Sequence, residues 1–211
     1  MKVTLLRHTA DPEEICGEAA AICADSKNYQ RSLHHAVESG HTSVLEHAVF
    51  TFKVEGLSRA ALAQLTRHRL ASFDVQSQRY VKLNNPELVL PETIKNSEMK
   101  DIVISTMKVC MLLYMDLIEA GVPAEDARYI TPQAVATDLV MTMNARELLH
   151  FFSLRTCNRA QWEIRNLADS MLKICKEIAP YIFNNAGPGC VTGKCPESRP
   201  CGHPRTKEEF V

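Results

Sequence analysis

Arg67-His68-Arg69, followed after seven residues by Ser77-Gln78-Arg79-Tyr80, is the stretch of this chain best equipped for chemistry. Three cationic or titratable side chains in a row cannot all enter a core, because a guanidinium loses its hydration there unless an anion meets it. A negatively charged ligand is the economical explanation. Ser77 adds a hydroxyl and Arg79 another planar fork, a donor set suited to phosphate oxygens more than to a single carboxylate. A solvated basic turn complementing a helix dipole would account for Arg67 to Arg69 but not for Ser77 and Arg79.

The rest of the chain bounds what that ligand is. With 211 residues and a formal net charge of −1, the sequence is sized for one domain with a sizeable core, or a domain with appendages. The near-neutral balance argues against a nucleic-acid partner, whose phosphates call for a surplus of Lys and Arg. The expected anion is small and held at a local cationic site. No apolar run approaches the ~20 residues that cross a bilayer. Met1 to His8 lacks a signal peptide's apolar stretch and reads as a first strand, so a cytoplasmic protein is expected. Of eight cysteines, Cys16, Cys23, Cys110, Cys157 and Cys175 fall singly inside helical patterns, as small apolar residues do. That usage suits a reducing compartment.

The elements that must position these residues follow from capping and periodicity. Asp11-Pro12-Glu13-Glu14 opens a helix to about Asp25, with a cap, a proline and acids in the first turn. A second helix is expected from about Gln30 to Glu38. His47 to Glu55 alternates, with Ala48, Phe50, Phe52 and Val54 on one face, and predicts a half-buried strand. From Leu57 to His68 the period becomes helical, aligning Leu57, Ala61, Leu65 and His68 and leaving Gln64, Arg67 and Ser77 off the stripe. Ser97 caps a long helix with the stripe Val103, Met107, Cys110, Tyr114 and Leu117, closed by Gly121. Pro123 to Ile130 is a short helix carrying Arg128, and Ala134 to Met143 a strand. Asn144 then caps a helix, and a last long helix runs from about Arg159 to Ile178. The fold class is α+β, a small antiparallel or mixed sheet with several long helices. With no Gly-x-Gly-x-x-Gly turn, it is not expected to be a Rossmann fold. Residues 1–185 are expected to form a single domain, and 186–211 a tail rich in Cys, Pro and Gly.

A second cluster follows Leu148, Phe151, Phe152 and Leu154, an apolar wall with Arg155 directly after it. Such an arginine either faces a ligand or pairs with an acid such as Glu163, and this segment alone favours the pairing. Trp162 reads as a core residue. In the tail, Cys190, Cys195, Cys201 and His203 are soft ligands that a zinc ion could gather. Their spacing fits no standard finger, and a mobile thiol-bearing tail with no metal is the expectation. His34-His35, His41 and His47 have ligand-poor spacing for a metal.

Together these motifs resemble the flavin-dependent thymidylate synthases. Arg67-His68-Arg69 with Ser77-x-Arg79 is similar to that family's signature, and His41-x-Ser43-x-x-Glu46-His47 to the segment before its Phe-rich strand. Ala127-Arg128-Tyr129 resembles its Ala-Arg stretch, and Asn144-x-Arg146 through Arg155 to Ala160-Gln161-Trp162-Glu163-Ile164-Arg165 its C-terminal block. Four blocks in the right order make chance a poor explanation. Asp74-Val75 stands where many members have Asn-Glu, and Arg159 where others have histidine.

The resemblance implies FAD as cofactor, NADPH and methylenetetrahydrofolate as co-substrates, and conversion of dUMP into dTMP. It implies a flavin site lined by His41, Ser43, Glu46, Arg67, His68, Arg69, Asn144, Arg146 and His150. It implies that Gln64, Gln76, Ser77, Gln78, Arg79 and Arg128 hold the nucleotide's phosphate and sugar. Arg155 would be the catalytic residue, beside the uracil ring, where a guanidinium stabilises negative charge as N3 ionises. Ser77, among arginines with no general base in its motif, reads as a hydrogen-bond donor rather than a nucleophile. No Pro-Cys-His-like motif supplies the catalytic cysteine of the ordinary thymidylate synthase, and Cys157 reads as helical core. A homotetramer with shared active sites is implied. The competing readings are a non-catalytic nucleotide-phosphate-binding module with a zinc-binding tail, and a flavin reductase without methyl transfer.

Overall fold

The alternation that predicted a strand at His47 to Glu55 buries Phe50, Phe52 and Val54 and leaves Thr51, Lys53 and Glu55 half-buried. This strand, β2, spans Val49–Ser58, later at both ends than the spacing suggested. Before it, Thr42–His47 coils into a 3-10 turn that buries Val44 and Leu45. Past its middle, Gly56 takes a left-handed φ of 75° and shifts the burial phase, so that Leu57 still faces inward. Leu57 is thus buried in the strand, although its place four residues before Ala61 reads as part of a helical stripe. The helix α3 spans only Arg59–Leu65, started by Ser58, whose hydroxyl accepts the Ala61 N–H.

A computed structural model describes residues 1–193 and 195–210 of the chain. Strands β1 (Lys2–His8), β2, β3 (Ser72–Val75) and β4 (Ala136–Asn144) form an antiparallel sheet in the order β1-β2-β4-β3. Helices α1 (Pro12–Cys23) and α2 (Tyr29–Glu38) follow β1. Helices α4 (Glu92–Lys95), α5 (Lys100–Glu119) and α6 (Ala124–Ala127) lie between β3 and β4. After β4 come α7 (Ala145–Arg155), α8 (Trp162–Ile178), α9 (Pro180–Phe183) and α10 (Gly189–Thr192). The α+β class matches the expectation. Among the described residues no helix is long and apolar enough to cross a membrane.

Contacts divide the chain into two units. The first comprises Met1–Lys2, Val54–Gln64 and Asp74–Leu139. Its core gathers Leu83, Tyr114, Ala127 and Val135, and the Tyr114 hydroxyl accepts the Leu83 N–H. Ser97, expected to cap α5, instead donates its hydroxyl to Ile94 O at the end of α4, leaving Met99 at the cap of α5. Gly121 closes α5 as expected. At φ 88° it lets the Val122 N–H reach Leu117 O and its own N–H reach Ile118 O. Of the expected α5 stripe, only Tyr114 is fully buried, and Ile102, Val109, Leu112 and Leu113 are exposed.

The second unit comprises Val3–Lys53, Leu65–Phe73 and the chain from Val140 onward. Phe183 packs edge-on against Phe50 and Phe152, and α8 buries Leu167, Ala168, Met171, Leu172 and Cys175. Helix α8 starts at Trp162 because the Gln161 side chain accepts the Glu163 and Ile164 N–H groups. Trp162 is therefore half-buried rather than core, and Cys157 sits in the turn before α8, not in a helix. Pro180 opens α9, whose Tyr181 and Ile182 N–H groups donate to Glu13 Oε1.

Arg205 and Phe210 of the C-terminal segment are buried. Arg205, 9% exposed, donates to both Asp169 carboxylate oxygens, to Glu209 and to Thr156 O, and stacks 4.3 Å from the Phe210 ring. Phe210 is fully buried. Cys190, Cys195 and Cys201 are free thiols, and among the described residues no group of three His, Cys, Asp or Glu is arranged to hold a metal ion. Arg205→Ala should cost about 3 kcal/mol in urea unfolding, because Asp169 loses its partner. A loss under about 1 kcal/mol would mean that the segment is only loosely attached.

Candidate active site

Helix α7 builds the centre of the second unit. Asn144 ends β4 and caps α7, its Oδ1 accepting the Glu147 N–H at 2.9 Å. That cap fixes the first turn, so Glu147, Phe151 and Arg155 follow at four-residue spacing along one face. His68, just beyond α3, meets this face. Its Nδ1 lies 2.9 Å from Glu147 Oε1, and its Nε2 lies 3.0 Å from Arg155 Nε. His68 and Glu147 are each only 5% exposed. The His68 ring packs edge-on against Phe151 at 4.9 Å between centroids, with His150 at 5.8 Å.

Arg155 Nε can only donate, so His68 Nε2 accepts and the imidazole carries its hydrogen on Nδ1, facing Glu147. Burial, first of all, holds the His68 pKa below its ordinary 6.5, the Glu147 hydrogen bond opposing it and the Arg155 charge adding to it. Burial likewise pulls Arg155 down, with the Arg67 charge adding to it. The pairing of Arg155 with Glu163 that the sequence favoured is thus replaced by a pairing with His68. Glu163 is buried at the start of α8, while Arg155 projects from the far end of α7 on the Glu147 face.

Arg67, His68, Arg69, Arg146, His150 and Arg155 line one cavity of about 600 Å³, with Glu147, Leu70 and Leu154. Arg67 and Arg69 are exposed and have no carboxylate partner among the described residues. Arg146 Nη1 donates to Glu46 Oε1 at 2.5 Å, which ties Glu46 to the rim. His41 and Ser43 line a different cavity of the same unit, beside Arg31, His35 and the end of α1. Asn144 enters this group as the cap of α7 rather than as a lining residue.

The first unit holds its own cationic group. Arg79 Nε donates to Glu125 Oε2 at 2.8 Å, and Arg128 Nε to Glu125 O at 3.0 Å. The Ser77 hydroxyl accepts the Arg79 N–H, and the Arg79 guanidinium lies 5.5 Å from the Tyr80 ring centre. Arg59 Nη2 donates to Gln76 O at 2.9 Å. Arg59 Nε and Gln78 Nε2 are buried with no hydrogen-bond partner. Burial lowers the Arg59 pKa, and the charge of Arg128 adds to it. Buried donors without acceptors are uncommon, and a ligand's oxygens would satisfy them. Gln64, half-buried at the end of α3, completes the expected set in this unit. Sequence reasoning missed Arg59, which stands outside any dense motif. It also missed Glu147 and Glu125, although Asn144-x-x-Glu147 carries a capping signature.

The family model described as thymidylate synthase complementing protein matches residues 4–181. The chain belongs to that family. It is 48% identical to a flavin-dependent thymidylate synthase of Geobacter sulfurreducens, over 93% of this chain and 91% of that protein. It is 40% identical to the Clostridium tetani protein of the same name, covering 96% and 93%, and 42% identical to that of Thermococcus onnurineus, covering 100% and 96%. The resemblance seen in the motifs is borne out, and the chain is an enzyme of the flavin-dependent thymidylate synthase type. The non-catalytic module is not favoured. In this member of the family, His68 makes stability depend on pH. The unfolded chain takes up a proton near 6.5 and the folded one only at lower pH, so acid favours unfolding. Stability is full above about 6.5 and falls below it. The slope of melting temperature against pH below about 6.5 should flatten in His68→Gln, and an unchanged slope would remove His68 as its source.

Proposed function

We propose that the protein makes dTMP from dUMP by reductive methylation, with methylenetetrahydrofolate as carbon donor and FAD recharged by NADPH. The observation that carries this reading is the cavity of the second unit, lined by Arg67, Arg69, Arg146 and Arg155, where the carboxylates at hand are Glu147, engaged by His68, and Glu46, paired with Arg146 at the rim. Such an excess of guanidinium forks fits a pyrophosphate, so the residues present suit FAD. When bound, FAD would supply a hydride that, with the methylene carbon, becomes the new methyl group as the uracil C5 proton leaves.

Each residue then has a task. Arg67, Arg69 and Arg146 hold phosphate oxygens, and His150 beside His68 offers a ring against a flat ligand. Glu46 keeps the Arg146 guanidinium in place, and His41 and Ser43 would meet a further part of the cofactor. In the first unit Arg79, Ser77 and Arg128 grip the nucleotide phosphate, Gln78 and Arg59 offer it their unpartnered N–H groups, and Gln64 and Gln76 hold the sugar. Arg155 stabilises the negative charge of the uracil ring as N3 ionises, activating it by electrostatics rather than covalent attack. The protein would act as a homotetramer with shared active sites; exposed Ile102, Val109, Leu112 and Leu113 on α5 give an apolar face suited to a second copy, which supports association.

The deciding assay supplies dUMP, methylenetetrahydrofolate and NADPH together and measures dTMP. Formation of dTMP is expected. NADPH oxidation without dTMP would leave a flavin reductase instead, and a colourless protein with stoichiometric zinc would favour the binding module. Arg79→Ala should weaken dUMP binding by about 2 kcal/mol, roughly thirtyfold, because a charge-assisted contact is lost and Glu125 is left facing the phosphate. An unaltered dUMP dissociation constant would take Arg79 out of the site. Arg155→Ala should fold and keep flavin while kcat falls more than dUMP affinity does. Full turnover in that variant would end the electrostatic role.

A further inference from the structure

Glu147 is a buried carboxylate at the cavity with no task in the reaction just described, yet it closes a directional polar chain from Arg155 through His68. Glu147 and Arg155 stand eight residues apart on α7, ~12 Å along the axis at ~1.5 Å per residue, too far for direct contact. His68 spans the gap, 2.9 Å from one and 3.0 Å from the other. Because a guanidinium Nε always carries hydrogen, the order of donation is settled: Arg155 to His68, and His68 to Glu147.

We propose that Glu147 is a positioning residue for Arg155. It holds His68 in the tautomer whose Nε2 lone pair accepts the Arg155 Nε–H, and so fixes the plane and reach of the guanidinium. This rests on the reading of Arg155 as the group that faces the uracil ring. The other tautomer, or an imidazolium, would turn an N–H toward Arg155 Nε–H and push the side chain off its place. With Nε tied to His68, the two Nη groups of Arg155 remain for the substrate, and no other acceptor takes them among the described residues. The support runs one step further back. Asn144 Oδ1 takes the Glu147 N–H, which fixes the turn that carries the carboxylate. Phe151 walls the His68 ring on the same face and limits its rotation. Orienting a reacting group in this way is worth a large factor in rate without any new contact to substrate.

Two substitutions in the full-length, flavin-loaded enzyme separate reach from charge. Glu147→Gln keeps an acceptor oxygen at the same reach and loses the charge. Glu147→Asp keeps the charge and draws it back by one methylene. If the tautomer is what matters, E147Q should retain kcat within about threefold, while E147D falls about tenfold with the dUMP KM moving less than about twofold. Flavin absorbance and melting temperature in the same samples report loading and fold. Wild-type kcat in E147D, a lower kcat in E147Q than in E147D, or equal losses in both would overturn the proposal. Failure of both variants to fold would also overturn it, since Glu147 would then serve the fold alone. Wild-type enzyme that makes no dTMP would instead sink the proposed reaction.

Discussion

A buried histidine kept neutral between a carboxylate and a guanidinium is the constraint on which the candidate site depends. Burying His68 and Glu147 away from water would be costly for either alone. Paired, Nδ1–H to Oε1, each satisfies the other, and the free lone pair on Nε2 is then obliged to find a donor, which Arg155 provides. The result is one directional chain in place of three independently mobile polar groups. α7 carries both ends of the chain, Glu147 and Arg155, and His68 reaches between them from the turn just beyond α3.

Around that chain the site keeps cations in reserve. Arg67 and Arg69 stand exposed without carboxylate partners among the described residues, and Arg146 is balanced only by the exposed Glu46. In the first unit the pattern differs. Glu125 serves both Arg79, through its carboxylate, and Arg128, through its carbonyl, while Arg59 Nε and Gln78 Nε2 are left buried and unmet. Exposed pairs such as Arg79–Glu125 contribute little to stability. A surface ion pair of that kind is readily exchanged for a phosphate, which offers more acceptor oxygens to the same forks.

Caps and glycines set where these groups fall. Asn144 and Gln161 start α7 and α8 with side-chain acceptors, and Ser58 starts α3. Asn144 was legible as a cap because its residue type and the acid three positions later form a local pattern. The start of the helix expected from Leu57 was not, because Leu57, buried in β2 just after the left-handed Gly56, stands four residues before Ala61 and so imitates a helical period. The C-terminal segment also eluded reading. Its anchors, Arg205 and Phe210, are met by Asp169, Thr156 and Lys176, residues far away in the chain.

The sequence alone determined the α+β class, the family, and the cationic motifs, since dense clusters of guanidinium and imidazole groups declare a need for an anion whatever the fold. Which of those groups meet was decided only by tertiary structure. Arg155 took His68 rather than Glu163, and His41 and Ser43 went to a cavity apart from Arg67. Local spacing specifies the face of a helix from which a side chain departs. The partner it reaches, the burial it suffers and the tautomer it imposes depend on which distant segment packs against that face, and no periodicity encodes that.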